Sequence, residues 1–108
     1  MASFELRKTE GGQFNFSLKN EEGKTLLKSE QYQSKTSAQN GIESVRKNST
    51  LEHYALENSK DGKFYFNLKS SNGQVVGTSV LYATEAERAG AIAEVKKDAA
   101  KAKVEDHC

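Results

Sequence analysis

At 108 residues, with 16 Lys and Arg against 15 Asp and Glu, the chain carries a formal charge of +1, which excludes recruitment of nucleic acid or an anionic membrane by net field. A single cysteine, Cys108, excludes a disulfide framework, and 35% hydrophobic residues gathered into periodic segments argue for a folded chain. No apolar run reaches the length of a membrane-spanning helix and no basic-then-apolar leader opens the sequence, so a cytoplasmic protein is expected.

Phe4 and Leu6 alternate with Ser3, Glu5 and Arg7, and after Glu10-Gly11-Gly12 the apolar series Phe14, Phe16, Leu18 alternates with Gln13, Asn15, Ser17 and Lys19. Period two with an intervening glycine turn predicts an antiparallel hairpin with one buried face. Glu22-Gly23 turns the chain into a third strand over residues 25–29. A helix follows, with Ser34 or Thr36 as its N-cap, Ala38, Ile42 and Val45 on its apolar face, and Arg46-Lys47 in the last turn, where cations complement the helix dipole. Residues 53–58 open a second series of strands. Asp61-Gly62 and Asn72-Gly73 mark tight hairpins, expected to place φ > 0 at both central positions. Thr84-Glu85-Ala86-Glu87 has the pattern of a capping box, and Ala89, Ile92, Val95 and Ala99 are the predicted inner face of the second helix. Residues 102–106 then read as one more strand.

The two halves superpose without a gap at an offset of fifty: GGQFNFSLKNEEGKTLLKSEQY over residues 11–32 matches DGKFYFNLKSSNGQVVGTSVLY over residues 61–82. The register continues from NGIESVRKN at 40–48 to GAIAEVKKD at 90–98, and position 104 falls fifty beyond Tyr54, so the tail reads as a partial third start. A unit of about 50 residues buries too little surface to be comfortable alone. The expected architecture is therefore one α+β domain spanning 1–108, made of tandem β-β-β-α-β repeats (3–49 and 53–99, then 100–108 as strand and tail). They would form one antiparallel sheet with both helices on one face and the C-terminal strands exchanged between repeats.

The signature GKFYFNLKSSNGQVVGTSVLY with its following helix, the NGIESVRKN ending of the first helix and the tail Val104-Glu105-Asp106 resemble the YegP-like family of small uncharacterised bacterial proteins, in its duplicated subfamily. The resemblance implies the same tandem fold with exchanged strands, and it implies no activity, substrate or catalytic residue. The second helix reads AGAIAEVKKDA where the first reads NGIESVRKNS, so a role tied to Asn40 or Gly41 would belong to the first copy only.

No constellation of residues points to catalysis, and no cofactor or metal is expected. Ser29 and Ser79 recur with Tyr32 and Tyr82, but His53 and His107, the available bases, have no counterparts in the other repeat, and packing at the strand ends is the plainer role. Glu105-Asp106-His107-Cys108 contains metal-binding residue types without a second cluster, and reads as a frayed, solvated terminus. The glycines lack the phosphate-loop pattern and serve turns. Alternation assigns Asn15 and Lys19, with Lys63, Tyr65, Asn67 and Lys69, to the sheet face away from the helices, a tentative binding surface resembling a single-strand nucleic-acid platform with one aromatic.

The leading expectation is a non-enzymatic binding or structural module, monomeric because both copies lie in one chain; its partner is unknown, and addition of a protein strand to an exposed sheet edge is one route open to it. Binding of single-stranded nucleic acid on the polar sheet face is the alternative, and an enzyme with Ser29, Tyr32, Ser79 and Tyr82 at the seam between repeats is the third reading.

Overall fold

The computed structural model describes residues 2–51 and 53–108; Met1 and Glu52 lie outside the described residues. In chain order the elements are β1 (Ser3–Lys8), β2 (Phe14–Lys19), β3 (Thr25–Lys28), α1 (Lys35–Ser49), β4 (Tyr54–Asn58), β5 (Phe64–Lys69), β6 (Val75–Ser79), α2 (Glu85–Asp98) and β7 (Lys103–Asp106). They build one seven-stranded sheet in the order β4-β5-β6-β3-β2-β1-β7. The tandem repeat is plain in this order. Each repeat contributes an antiparallel meander, and the two meanders meet where β3 pairs antiparallel with β6 through Leu27↔Ser79 and Lys28↔Thr78. The expected exchange is made by β7, which leaves the second helix and pairs with β1 of the first repeat. That pairing is parallel, so the sheet is mixed at this one ladder rather than antiparallel throughout. The parity of the sheet accounts for it: directions alternate from β6 through β3 and β2 to β1, and α2 returns the chain running opposite to β6, which is the direction of β1.

Cross-strand registers show that one face of the sheet is predominantly apolar. Phe4 stands opposite Leu18, Leu18 opposite Leu27, Leu27 opposite Ser79, and Leu56 opposite Phe66. Both helices cover this face. Arg46 of α1 lies over the Phe4 ring at 5.4 Å, and from α2 Lys96 lies over Tyr54 at 5.7 Å and Arg88 over Phe64 at 5.3 Å. A single apolar cluster takes residues from both repeats, among them Phe4, Leu6, Phe16, Leu18, Ile42, Val45, Phe66, Leu68 and Val95. The two halves share that core.

Local details follow the fifty-residue offset and correct three expectations. Each hairpin is closed by a glycine N–H bonded to the carbonyl three residues back, with Gly12, Gly23, Gly62 and Gly73 at φ between 80° and 85°. The left-handed position falls on the glycine that ends a four-residue turn, and the two-residue turn expected at Asp61-Gly62 and Asn72-Gly73 is not formed. Ser34 caps α1 and Thr84 caps α2, each accepting from the N–H three residues on. Of the expected inner face of α2, Val95 and Ala99 are buried and Ile92 packs partly buried against the core, but Ala89 is exposed, and the buried positions are Arg88, Ala91, Val95 and Ala99. These are the positions fifty beyond Ala38, Gly41, Val45 and Ser49. Arg88 joins an apolar stripe because its guanidinium lies on the Phe64 ring and its Nη1 donates to the Glu57 carbonyl at 3.0 Å.

The third correction concerns the tail, which is held rather than frayed. The His107 N–H donates to the Leu6 carbonyl at 2.8 Å, and Lys35 at the start of α1 forms an ion pair with Asp106. Arg46 Nη2 donates to the Ala102 carbonyl at 2.6 Å, so α1 flanks β7 along its length. Among the described residues, no helix is long and apolar enough to cross a membrane.

Candidate functional site

The recurring serines have their hydrogen bonds committed to backbone. Ser29 Oγ accepts from the Phe16 N–H at 2.9 Å and donates to the Glu30 carbonyl at 2.8 Å; Ser79 Oγ accepts from the Phe66 N–H and donates to the Val80 carbonyl, each at 2.9 Å. They stand where β3 and β6 leave the ladder and supply the partner a strand would otherwise give. Tyr32 and Tyr82 bridge to Phe14 and Phe64 through backbone bonds of 2.7 to 2.8 Å. Burial first, with the Glu30 charge beside Tyr32 and the Glu94 and Glu87 charges beside Tyr82, holds both phenols above their usual pKa. Neither hydroxyl is poised to act as a base.

The two copies differ at this seam. The Tyr32 ring stacks on Phe16 (6.2 Å between centroids, 11° between planes) and runs so close under α1 that a Cβ on Gly41 would meet Tyr32 Oη at 2.5 Å. Position 91 is alanine, and the second copy holds an open cleft of about 510 Å³ between α2 and the β2–β3 hairpin of the first repeat. Leu26, Val80, Tyr82 and Ala91 line it, with Glu87 and Glu94 at the rim and Glu94 held by Asn20 Nδ2 at 3.0 Å.

On the sheet face away from the helices, one row reads Glu105, Glu5, Ser17, Lys28, Thr78, Asn67, Ala55. The tentative surface is thus assigned to the correct face by alternation, but it divides in two. Asn15 and Lys19 lie on β2, Tyr65, Asn67 and Lys69 on β5, with Lys63 just before it, and two strands separate the groups by roughly 14 Å at the usual inter-strand spacing. Lys19 is 3.3 Å from Glu5, and Asn67 Oδ1 accepts from Thr78 Oγ1 at 2.7 Å, so both are engaged within the protein. Parallel pairing also brings Glu5 to Glu105 and His107, three potential ligand atoms within 4.8 Å, a meeting that sequence reading missed because Glu5 lies one hundred residues away. Arg7 at 2.7 Å and then Lys19 already neutralise Glu5 and hold its carboxyl below the usual range.

The strongest difference between the repeats is at the sheet edges. Leu6 and Leu56 are equivalent residues in equivalent registers, Leu6↔Phe16 and Leu56↔Phe66, yet Leu6 is 0% exposed and Leu56 59%. β7 covers the outer edge of β1; β4 is the last strand of the sheet. Lys69 donates to the His53 carbonyl, which sets the hydrogen-bonded pairs on β4 at odd positions and turns the N–H and C=O of Leu56 and Asn58 outward. The opposite edge is guarded differently, since β7 itself reads Lys-Val-Glu-Asp, and charge on an edge strand opposes further pairing.

A family model described as "Domain of unknown function (DUF1508)" matches residues 10–54 and again 59–106. The chain belongs to this family. Two copies of the family's unit account for the duplication seen in sequence and sheet. Relatives include the UPF0339 protein YegP of Escherichia coli strain K12, 57% identical over 49 residues, which is 45% of this chain and 44% of the relative, and UPF0339 protein PA0329 of Pseudomonas aeruginosa, 54% identical over 48 residues and 44% of each. Each of these sequence matches spans less than half of the relative's length. The fold likeness is longer. The solution structure of the protein of unknown function yegP from E. coli has a TM-score of 0.92 at 48% identity, covering 98% of this chain and 92% of that one; that of UPF0339 protein SO3888 from Shewanella oneidensis has 0.92 at 42%, covering 97% and 90%. None of these names assigns an activity.

Proposed function

We propose that the chain is a non-enzymatic binding module of the bacterial cytoplasm, monomeric, that captures an extended segment of a partner protein along the outer edge of β4. One observation carries this reading: the fold seats a strand on the edge of β1, and the equivalent edge of β4 offers the same backbone groups with an uncovered leucine, 59% exposed against 0% for its counterpart. Full burial of a leucine is worth about 1.5–3 kcal/mol, and outward N–H and C=O groups add direction, which together suit a short strand. A single cysteine, and so no disulfide framework, suits a reducing compartment.

A phage-displayed library of short peptides selected on the immobilised protein tests the reading, with Leu56→Lys as the counter-screen. Clones that bind the native chain and lose binding to Leu56→Lys are expected. Clones that bind both equally would refute it, as would sedimentation of the native chain at twice its 11.9 kDa under reducing conditions.

A further inference from the structure

The edge of β4 carries its own rule of selection, which rests on the reading above and goes further by naming the partner's chemistry. Three contacts fix β7 on β1. Val104 stands beside Phe4, with both side chains on the helix-covered face. Arg46, lying over Phe4, reaches the carbonyl of Ala102 just before the strand. Asp106, beside Leu6, is paired with Lys35 at the first turn of α1. The second repeat offers each of these places at an offset of fifty. Tyr54 replaces Phe4, and Lys96 lies over Tyr54 as Arg46 lies over Phe4. Arg88 ties α2 to the far end of β4 through the Glu57 carbonyl, so α2 flanks this edge in the same sense that α1 flanks β7.

The remaining place is inverted in sign. Where α1 begins with Lys35, α2 begins with Glu85, which is exposed and forms no ion pair among the described residues. The nearest cation on that turn, Arg88, is 8% exposed and committed to Phe64 and Glu57. A strand laid on β4 in the register of β7 would bring its fourth residue, the counterpart of Asp106, to Glu85.

We infer that the edge of β4 selects a parallel strand of the pattern apolar-x-basic, the apolar residue lying beside Tyr54 and the Lys or Arg facing Glu85. The rule also disfavours a second copy of this chain as occupant, because an exchanged β7 would set Asp106 against Glu85, whereas its own seat on β1 sets Asp106 against Lys35. Like charges at that distance oppose pairing as opposite charges favour it.

Two acetylated heptapeptides test this with the full chain: Lys-Ala-Lys-Val-Glu-Asp-His, which copies residues 101–107, and the same peptide with Lys in place of Asp. Titration into labelled protein, followed by amide shifts, reports both affinity and location. The Lys peptide is expected to shift the amides of β4 and to bind about three- to tenfold more tightly than the Asp peptide, the range for reversing one solvent-exposed charge contact. Glu85→Lys should invert the order. Equal affinities at β4 would overturn the charge rule while leaving strand capture standing. Absence of any shift at β4 with either peptide, or shifts confined to β1 as β7 is displaced, would overturn strand capture together with the rule. Salt should narrow the ratio between the peptides, since the contact is exposed.

Discussion

Glycine to alanine in the middle of a helix ordinarily stabilises a protein by about 0.8–1 kcal/mol, and two glycines in this fold are expected to answer with opposite signs. Gly90 lies on the exposed side of α2, and a Cβ built on it meets nothing within 4 Å. Gly41 lies at the buried face of α1, where the same atom would stand 2.5 Å from Tyr32 Oη, 2.9 Å from Tyr32 Cζ and 3.0 Å from Phe16 Cε2. The tyrosine has little room to withdraw, because its ring is stacked on Phe16 and its backbone is bonded twice to Phe14. Overpacking costs about 1–3 kcal/mol, and a contact of 2.5 Å against restrained rings belongs in the upper part of that range, about 2–3 kcal/mol, which leaves Gly41→Ala destabilised by about 1–2 kcal/mol. For a domain of this size that is a fall in Tm of about 5–10 °C, against a rise of about 4–6 °C for Gly90→Ala. Thermal unfolding by circular dichroism measures both. If Tyr32 is the cause, the cost should vanish when Gly41→Ala is made in a Tyr32→Ala background, as a double-mutant cycle would show. A Gly41→Ala protein as stable as Gly90→Ala would refute the close approach.

Three further outcomes follow from the contacts at the seam and the tail. Ser79→Ala removes the acceptor of the buried Phe66 N–H and should cost about 1–3 kcal/mol in urea unfolding, a loss set by backbone satisfaction. Asn20→Ala should cost about 1–2 kcal/mol, since its side chain accepts from the Glu22 and Lys24 N–H groups and holds Glu94 across the seam. The ion pair of Lys35 with Asp106 makes the seating of β7 depend on pH: Lys35, first among the causes, lowers the Asp106 pKa in the folded chain. Its contribution is therefore complete above the ordinary aspartate value and is lost as pH falls through the lowered one. Lys35, raised by Asp106, contributes below the ordinary lysine value and loses that share as pH rises through the raised one. Hydrogen exchange at the His107 amide, corrected for intrinsic rate, should quicken at both extremes, and Lys35→Met should remove both limbs.

Much of this fold was legible because period-two alternation and the fifty-residue offset are local signals. Phe14, Phe16 and Leu18, with Phe64, Phe66 and Leu68, announced two buried strand faces; Thr84 announced the start of α2, and the choice between Ser34 and Thr36 for α1 falls to Ser34. On α2 Ile92, Val95 and Ala99 were legible, but Ala89 was taken for Arg88 because Arg88 reads as polar, although the first copy pointed to position 88 through Ala38. Its burial depends on Phe64 and Glu57, neighbours supplied by tertiary structure. The candidate surface met the same limit from the other side. Alternation put Tyr65, Asn67 and Lys69 on the open face, but β3 and β6 intervene between them and Lys19, which only strand order reveals. The seating of the tail was hidden for a related reason: Lys35 and Asp106 are distant in sequence, and a parallel ladder leaves no turn to mark it.

A duplicated chain gives its own internal control, because equivalent positions share backbone and register and differ only in what surrounds them. Gly41 lets Tyr32 approach α1 to a distance that a Cβ would forbid, whereas the equivalent position in α2 is Ala91, which lines a cleft with Tyr82. Leu6 against Leu56 measures the effect of one added strand, from 0% to 59% exposure. Lys35 against Glu85 changes the sign of the charge at the end of the strand groove. The β-β-β-α framework is common to both repeats, so each of these differences is local to its own neighbours. They cluster at the seam and at the sheet edge, and these are the places where two otherwise equivalent halves offer a partner different chemistry.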